Sequence, residues 1–373
     1  MQNFHCDHCG HLVYFENVRC DACGHALGYL SDLRTMSALV PAPDGLWQRA
    51  AADGDGPRYR MCRNYAVHNV CNWMLPEQDL NGLCESCRLT EIIPALGLPQ
   101  NRTSWYRMEQ ATRRVIYTLS MLGLSPASKA QDPVKGLAFR FLADSVQTGR
   151  VMTGHHSGVI TLNIAEADDL LRERTRSQMG EPYRTLLGHF RHEIGHYYWD
   201  RLFEAGEALA GFRRLFGDER TDYSASLRRH YEQGPPPNWQ RSFVSAYASA
   251  HPWEDWAETW AQYLHMADAL QTVQAVGLAL TPLRLDDPTL ATRVNPRAAE
   301  SFDQMLARWF PLSYMLNNLH RSLGMPDGYQ FTLGETVIGK LRFVHDLIAA
   351  SVSRADPPAS PAVACLAAAS AIE

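Results

Sequence analysis

Lysine is almost missing from this chain of 373 residues, where Lys129, Lys135 and Lys340 are the only three. Its positive charge comes from arginine, a bias we read as base composition rather than a binding role. No excess of positive charge exists either, since 35 basic residues face 40 acidic ones for a net charge of −5. A global cationic field, the usual footprint of nucleic-acid or anionic-membrane binding, is thereby excluded. The chain also lacks any run of about 18 uninterrupted apolar residues, which argues against a membrane-spanning helix. Its first residues, Met1-Gln2-Asn3-Phe4-His5-Cys6, carry neither the basic n-region nor the apolar h-region of a secretory leader. A cytoplasmic location is therefore expected.

With 46% hydrophobic residues, this length supports a sizeable core and two or three domains. Cysteine is the informative abundance: eight of the nine fall within the first 87 residues. In a reducing compartment such clusters favour metal over disulfides. Cys6-x2-Cys9-x10-Cys20-x2-Cys23 forms two C-x-x-C knuckles at zinc-ribbon spacing, followed by Gly10 and Gly24. A knuckle turns its backbone amides toward the thiolates and often needs positive φ just after the second cysteine, which glycine supplies. Residues 12–15 read as a short strand between the knuckles. The second set, Cys62, Cys71, Cys84 and Cys87, is less regular, and His68 stays open as a substitute for Cys62 or Cys71. Each set is expected to hold one structural Zn²⁺. Cys365, in an Ala/Pro/Ser tail, is read as a bystander.

Residues 1–100 carry seven arginines against eleven carboxylates, a balance of −4 that two Zn²⁺ on eight thiolates take to −8. Phosphate binding runs on cationic neutralisation, so this region is a poor partner for nucleic acid. We expect a folding module stapled by zinc because so short a segment lacks a core, with docking of a protein partner as the alternative.

The strongest signal is His192-Glu193-Ile194-Gly195-His196, inside the proline-free stretch 186–199, which reads as one helix. Positions i and i+4 lie one above the other on a helix, so both imidazoles can meet one Zn²⁺. Glu193 sits about 100° further round, where a carboxylate can take a proton from water at the metal. A catalytic zinc needs a third ligand and an open position. The segment 247–263 opens a second helix, with Pro252 suited to its first turn and Glu254 and Asp255 at its positive end. Glu254 and Glu258 are again i and i+4, among Trp256, Ala257, Trp260 and Ala261. Carboxylates in such apolar company are costly unless paired or metal-bound. One can ligate zinc while the other accepts the free N–H of a ligand histidine, and spacing alone does not say which. Asp200, four residues after His196, is a competing ligand that we read as a surface or supporting acid. Leu202 stands where the metzincin pattern needs a further histidine, so that pattern is excluded.

H-E-x-x-H followed on a later helix by E-x-x-x-E resembles the gluzincin metallopeptidases, the thermolysin-like and lethal-factor-like group. That resemblance implies Glu254 as the ligand and Glu258 as its outer support. The lethal-factor-like branch also has a tyrosine seven residues before the ligand acid, and Tyr247 matches that offset. Its phenol would stabilise the oxyanion or protonate the leaving amine. The whole chain resembles a bacterial family of zinc-binding metallopeptidases with an N-terminal zinc ribbon. The resemblance rests on the ribbon, residues 84–89, the pentad, residues 254–258 and the stretch from Asn318 to His345.

The expected architecture is α+β: a zinc-ribbon region with two four-cysteine sites over 1–95, a zincin-like metallopeptidase domain over 100–352, and a disordered tail over 353–373. In the second domain, residues 136–143 and 158–164 read as strands. Residues 155–158 read as a turn between residues 151–153 and the second of those strands. Residues 159–164 are the expected sheet edge for an extended peptide. His155 and His156 are adjacent, so at most one faces the cleft. Residues 105–124 read as a packing helix, 201–246 as mostly helical around the stiff loop Gly234-Pro235-Pro236-Pro237, and 296–310 and 334–350 as two more helices. His251 caps its helix or lines the cleft, His189 is an exposed neighbour of the site, and Tyr329 belongs to a turn. The expected activity is peptide-bond hydrolysis with one catalytic and two structural Zn²⁺, acting on a peptide or protein. A silent zinc-binding adaptor and a non-peptide amidohydrolase are the alternatives.

Overall fold

The computed structural model describes residues 1–51, 56–145, 149–172, 185–203, 206–284, 287–290, 300–329 and 333–355. Cys365 and the tail from 356 onward lie outside them, as do residues 296–299 of an expected helix. The fold is α+β, as the sequence indicates.

Strands β1 (Phe4–His5) and β2 (Leu12–Val13) pair antiparallel beneath the first two knuckles. Both knuckle glycines take the expected positive φ, +75° at Gly10 and +76° at Gly24. The next five strands depart from expectation. Strands β3 (Ala26–Leu30), β4 (Thr35–Pro41), β5 (Trp47–Arg49), β6 (Arg58–Met61) and β7 (Trp73–Pro76) close into a barrel, with β7 returning parallel to β3. Leu27, Leu30, Met36, Ala38 and Tyr59 are fully buried inside this region. The idea that zinc staples a segment without a core is therefore corrected. Closure removes the free edges of a small sheet and gives it an apolar interior of its own. The short helix α1 (Arg63–Ala66) lies between β6 and β7 and follows Cys62 directly.

Strand β8 (Thr90–Ile92) lies within the expected ribbon range yet hydrogen-bonds in parallel to β9 (Ala138–Leu142) of the next region. The sheet continues through β11 (Val159–Asn163) to β10 (Gly154–His156), in the order β10-β11-β9-β8. Two expectations are corrected here. Residues 159–163 are an interior strand, and the edge is β10, which pairs antiparallel to β11. His155 and His156 belong to that edge strand, and the turn is Ser157-Gly158, where φ is +48° and +82°. Two consecutive positive φ values match the twist of a tight two-residue hairpin.

Helix α2 (Pro99–Met121) buries Trp105, Met108, Thr112, Val115, Ile116 and Leu119 at helical spacing and packs against the helix that carries the pentad. Its Tyr117 also meets Phe15 of the ribbon, ring centroids 5.3 Å apart. Helix α3 (Leu186–Leu202) carries the pentad and starts at Thr185, whose hydroxyl accepts the Gly188 amide at 2.9 Å. After α4 (Glu207–Phe216) and α5 (Tyr223–Gln233) comes the long α6 (Pro252–Val276), ended by Gly277 in the left-handed region. Helix α7 (Phe302–Ser322) outruns its expected end at 310 and passes straight through Pro311. Helix α8 (Glu335–Ala355) completes the described chain.

Helices α3 and α6 cross at close range. A Cβ on Gly195 would stand 2.9 Å from Ala257 Cα and 3.2 Å from its carbonyl oxygen. The Trp256 indole donates to the Gly195 carbonyl at 2.8 Å across the same crossing. Only a residue without a side chain permits this approach, and it sets the two histidines of α3 against the two glutamates of α6.

Candidate metal centre

His192 and His196 leave α3 one turn apart, and Glu254 enters from the first turn of α6. Their ligand atoms converge within 4.8 Å of one another. His192 Nε2 lies 3.1 Å from His196 Nε2 and 3.1 Å from Glu254 Oε2, while His196 Nε2 is 3.7 Å from that oxygen. Tetrahedral zinc with bonds of about 2.0–2.1 Å has ligand edges of about 3.3–3.4 Å, so this triangle fits one ion. Glu254 Oε2 is buried without a hydrogen-bond partner among the described residues, a costly arrangement for a carboxylate that a metal would relieve. Burial disfavours a charged imidazole at His192, but the carboxylates of Glu254 and Glu258 outweigh it and hold its pKa well above the usual range. The same field attracts a divalent cation. The glutamate responds in the opposite sense: burial opposes its charge, yet His196 and His192 hold Glu254 well below the usual carboxylate range.

Supporting contacts surround this triangle. The other ring nitrogen of His192, Nδ1, meets Glu258 Oε1 at 2.6 Å, and Glu258 Oε2 accepts from Ser245 Oγ at 2.6 Å. Ser245 Oγ in turn accepts the Ala248 amide at 3.0 Å. His196 Nδ1 is buried without a partner, and the Trp253 ring, 4.0 Å away between centroids, packs against its imidazole instead. His251 caps α6, accepting the Trp253 amide at Nδ1 over 3.1 Å, with Nε2 3.1 Å from the Thr221 carbonyl. Beneath the first turn, the ammonium of Lys340 on α8 meets Asp255 at 2.6 Å, both fully buried, and also reaches the Ser242 carbonyl at 2.7 Å. One lysine thus joins α8, the ligand helix and the loop that carries Ser245.

Glu193 follows His192 on α3, and its side chain is only 6% exposed. Its Oε2 is buried and has no hydrogen-bond partner, and its Oε1 is 3.6 Å from His189 Nε2. His189 is not an exposed neighbour. It is half-buried, and its Nδ1 is hydrogen-bonded to Glu166, which also accepts from Thr153 just before the edge strand. Contacts therefore run from β10 to Glu193. His155 faces inward, its ring 6.4 Å from that of His196, and burial lowers its imidazole to about 3, whereas His156 is exposed. Asp200 lies outside the triangle, with Oδ2 3.9 Å from His155 Nε2. Tyr329 packs against His265 and Trp309.

Tyr247 sits in a short 3₁₀ turn (Tyr247–Ala250), its ring 6.1 Å from that of His192. Burial, then the charge of Glu254, pushes its phenol far up, so it stays protonated. A second phenol, Tyr223 at the start of α5, donates to Glu254 Oε1 at 2.6 Å. Sequence reasoning missed Tyr223, Ser245 and Glu166, because each reaches the site from a segment with no motif of its own.

The two cysteine sets also close. Cys6 and Cys23 sulfurs are 3.6 Å apart, Cys9 and Cys20 3.7 Å, and Cys71 and Cys84 3.8 Å. Disulfide sulfurs would lie near 2.05 Å, whereas a tetrahedron of about 2.3 Å metal–sulfur bonds has edges of about 3.8 Å. The first set is open to solvent at Cys9, while Cys62, Cys71, Cys84 and Cys87 are all buried. His68 is not part of the second set and packs against Trp105. Around that set, Glu109 bonds the Trp105 indole and the Thr90 hydroxyl, each at 3.0 Å, and burial pushes its carboxyl up to about 7. No described helix is long and apolar enough to cross a membrane.

Comparison with known proteins agrees with this arrangement. Residues 3–98 match a zinc-ribbon domain model, and residues 101–347 match the model of a family described as "Putative zinc-binding metallo-peptidase". Uncharacterized proteins of Mycobacterium bovis and Mycobacterium tuberculosis are 45% identical over 349 residues, covering 93% of this chain and 95% of theirs. No solved structure matches the chain. With two thirds of its length under one family model and a zinc-ready triangle inside that span, the chain belongs to this zinc-binding metallopeptidase family and carries a zinc ribbon at its N-terminus.

Proposed function

We propose that the chain is a zinc-dependent peptidase of gluzincin type, in which His192, His196 and Glu254 hold the catalytic Zn²⁺. The two cysteine sets, Cys6, Cys9, Cys20 and Cys23 and then Cys62, Cys71, Cys84 and Cys87, hold structural Zn²⁺. The observation that carries the reading is Glu193, a buried carboxylate with an unpartnered oxygen, directly after His192 of a three-ligand triangle on the same helix. When bound there, zinc would polarise the scissile carbonyl and bring the pKa of water down toward about 7. Glu193 takes the proton of the attacking water and passes it to the leaving amine. Glu258 orients His192 so that Nε2 faces the metal. Tyr247 keeps a protonated phenol for the developing oxyanion. An extended peptide or protein segment lies along β10, the edge strand among the described residues, and adds a strand to the sheet. The acidic ribbon favours a protein contact over nucleic acid, and the protein works in the cytoplasm.

The test is a proteome-derived peptide library cut by the parent protein and by Glu193→Gln. The variant keeps three zinc ions and loses about 10²–10⁴-fold in cleavage rate. His192→Ala instead drops the zinc content by one. Equal cleavage by Glu193→Gln and the parent means the catalytic assignment is wrong.

A further inference from the structure

Tyr223 belongs to none of the motifs, yet its hydroxyl is bonded to the ligand carboxylate itself. The phenol donates to Glu254 Oε1 at 2.6 Å, while Glu254 Oε2 faces the two imidazole nitrogens and has no hydrogen-bond partner among the described residues. The two oxygens of one carboxylate are thus divided between two tasks. A carboxylate free at both oxygens can take a metal ion with one or with both, and the second mode fills the corner that a hydrolytic site must leave open.

We propose that Tyr223 is a positioning residue that holds Glu254 to ligation through one oxygen, keeping the fourth corner of the site free. The inference rests on the reading of His192, His196 and Glu254 as zinc ligands and adds a residue outside that set. The location of Tyr223 is tied to the ligand helix. His251 caps α6 through the Trp253 amide and contacts the Thr221 carbonyl, two residues before Tyr223. Asp222 starts α5 by accepting the Ala225 amide at 2.9 Å, and the Tyr223 ring packs 5.2 Å from that of His251.

The experiment compares the full-length parent and Tyr223→Phe, loaded with Zn²⁺ or with Co²⁺. Phenylalanine keeps the ring and removes only the hydroxyl. Third-site affinity is read by chelator competition, and the geometry of that site from the visible Co²⁺ absorption after subtracting the spectrum of His192→Ala. Tyr223→Phe is expected to weaken the third site by ~10–100-fold and to lower its Co²⁺ band intensity as the coordination number rises. Retention of both thiolate-bound metals and an unchanged circular dichroism spectrum show that the variant is folded. A Tyr223→Phe protein with parental affinity and parental Co²⁺ bands overturns the role of Tyr223. A parent that binds no more metal than His192→Ala overturns the zinc site itself, and the positioning role with it.

Discussion

His192 Nδ1 lies 2.6 Å from Glu258 Oε1, a contact between two helices that leaves Nε2 as the only ring nitrogen free for a metal. A hydrogen bond of this kind selects the tautomer and fixes the plane of the ring. The pentad puts His192 on the correct face of α3, and Glu258 decides which nitrogen faces the cleft.

Removing that carboxylate is expected to weaken metal binding without removing a ligand. Glu258→Ala should lower third-site zinc affinity by ~10–100-fold, with both four-cysteine sites still filled. Chelator competition on the parent and variant checks this, and unchanged affinity would mean that His192 is oriented by something else.

The crossing at Gly195 gives a prediction of sign. Gly195→Ala puts a methyl against Ala257 backbone, which cannot turn aside as a side chain can. We expect a loss of ~1–3 kcal/mol, typical of overpacking, together with weaker zinc binding at the third site. Gly339 in α8 has open space where its Cβ would stand, and alanine there should stabilise by roughly 0.5–1 kcal/mol. Denaturant unfolding of the two variants should therefore shift in opposite directions.

The two cysteine sets should part company under a chelator. Cys9 is exposed and Cys23 half-buried, whereas every sulfur of the second set is buried. In a His192→Ala background, which leaves only these two sites, zinc release to a metallochromic dye should show two phases, the fast one carrying one ion per chain. Release of both ions in a single phase contradicts this ranking.

Acid should act through His265. Its Nε2 is 3.0 Å from the Tyr329 hydroxyl, and burial pushes its pKa from 6.5 down to about 3. The unfolded chain takes up a proton near 6.5 that the folded protein refuses until about 3. The stability held by the neutral ring is thus full above about 6.5 and lost as pH falls toward 3, by up to roughly 1.4 kcal/mol per pH unit. The stability difference between the parent and His265→Phe should shrink as pH falls from 6.5 to 5.5. A difference that stays constant with pH removes His265 as the source.

Much of the site is legible in the chain because its spacings are local. His192 and His196, and Glu254 and Glu258, are each one helical turn apart, and the knuckles fix their own geometry within four residues. The pentad helix, the α6 start at Pro252 and the strands near 138–142 and 159–163 follow for the same reason. The closed barrel is not legible, because its five strands are short and closure depends on β7 returning to β3 from over forty residues away. Nor is the edge strand, since residues 154–156 offer only three positions and their pairing with β11 makes them a strand.

The metal-binding chemistry is written locally in the chain, as eight thiolates in two sets, two imidazoles and two carboxylates at i and i+4, and so is the family to which these belong. Which oxygen of Glu254 faces the imidazoles and which accepts from Tyr223 follows only from the packing of distant segments. The same holds for Ser245 at Glu258 and for Glu166, which joins Thr153 to His189. These are contacts between segments far apart in the chain, and the close crossing of α3 and α6 at Gly195 sets His192 against Glu254 and Glu258. No local periodicity encodes the distance between two helices; the side chains packed at their crossing do.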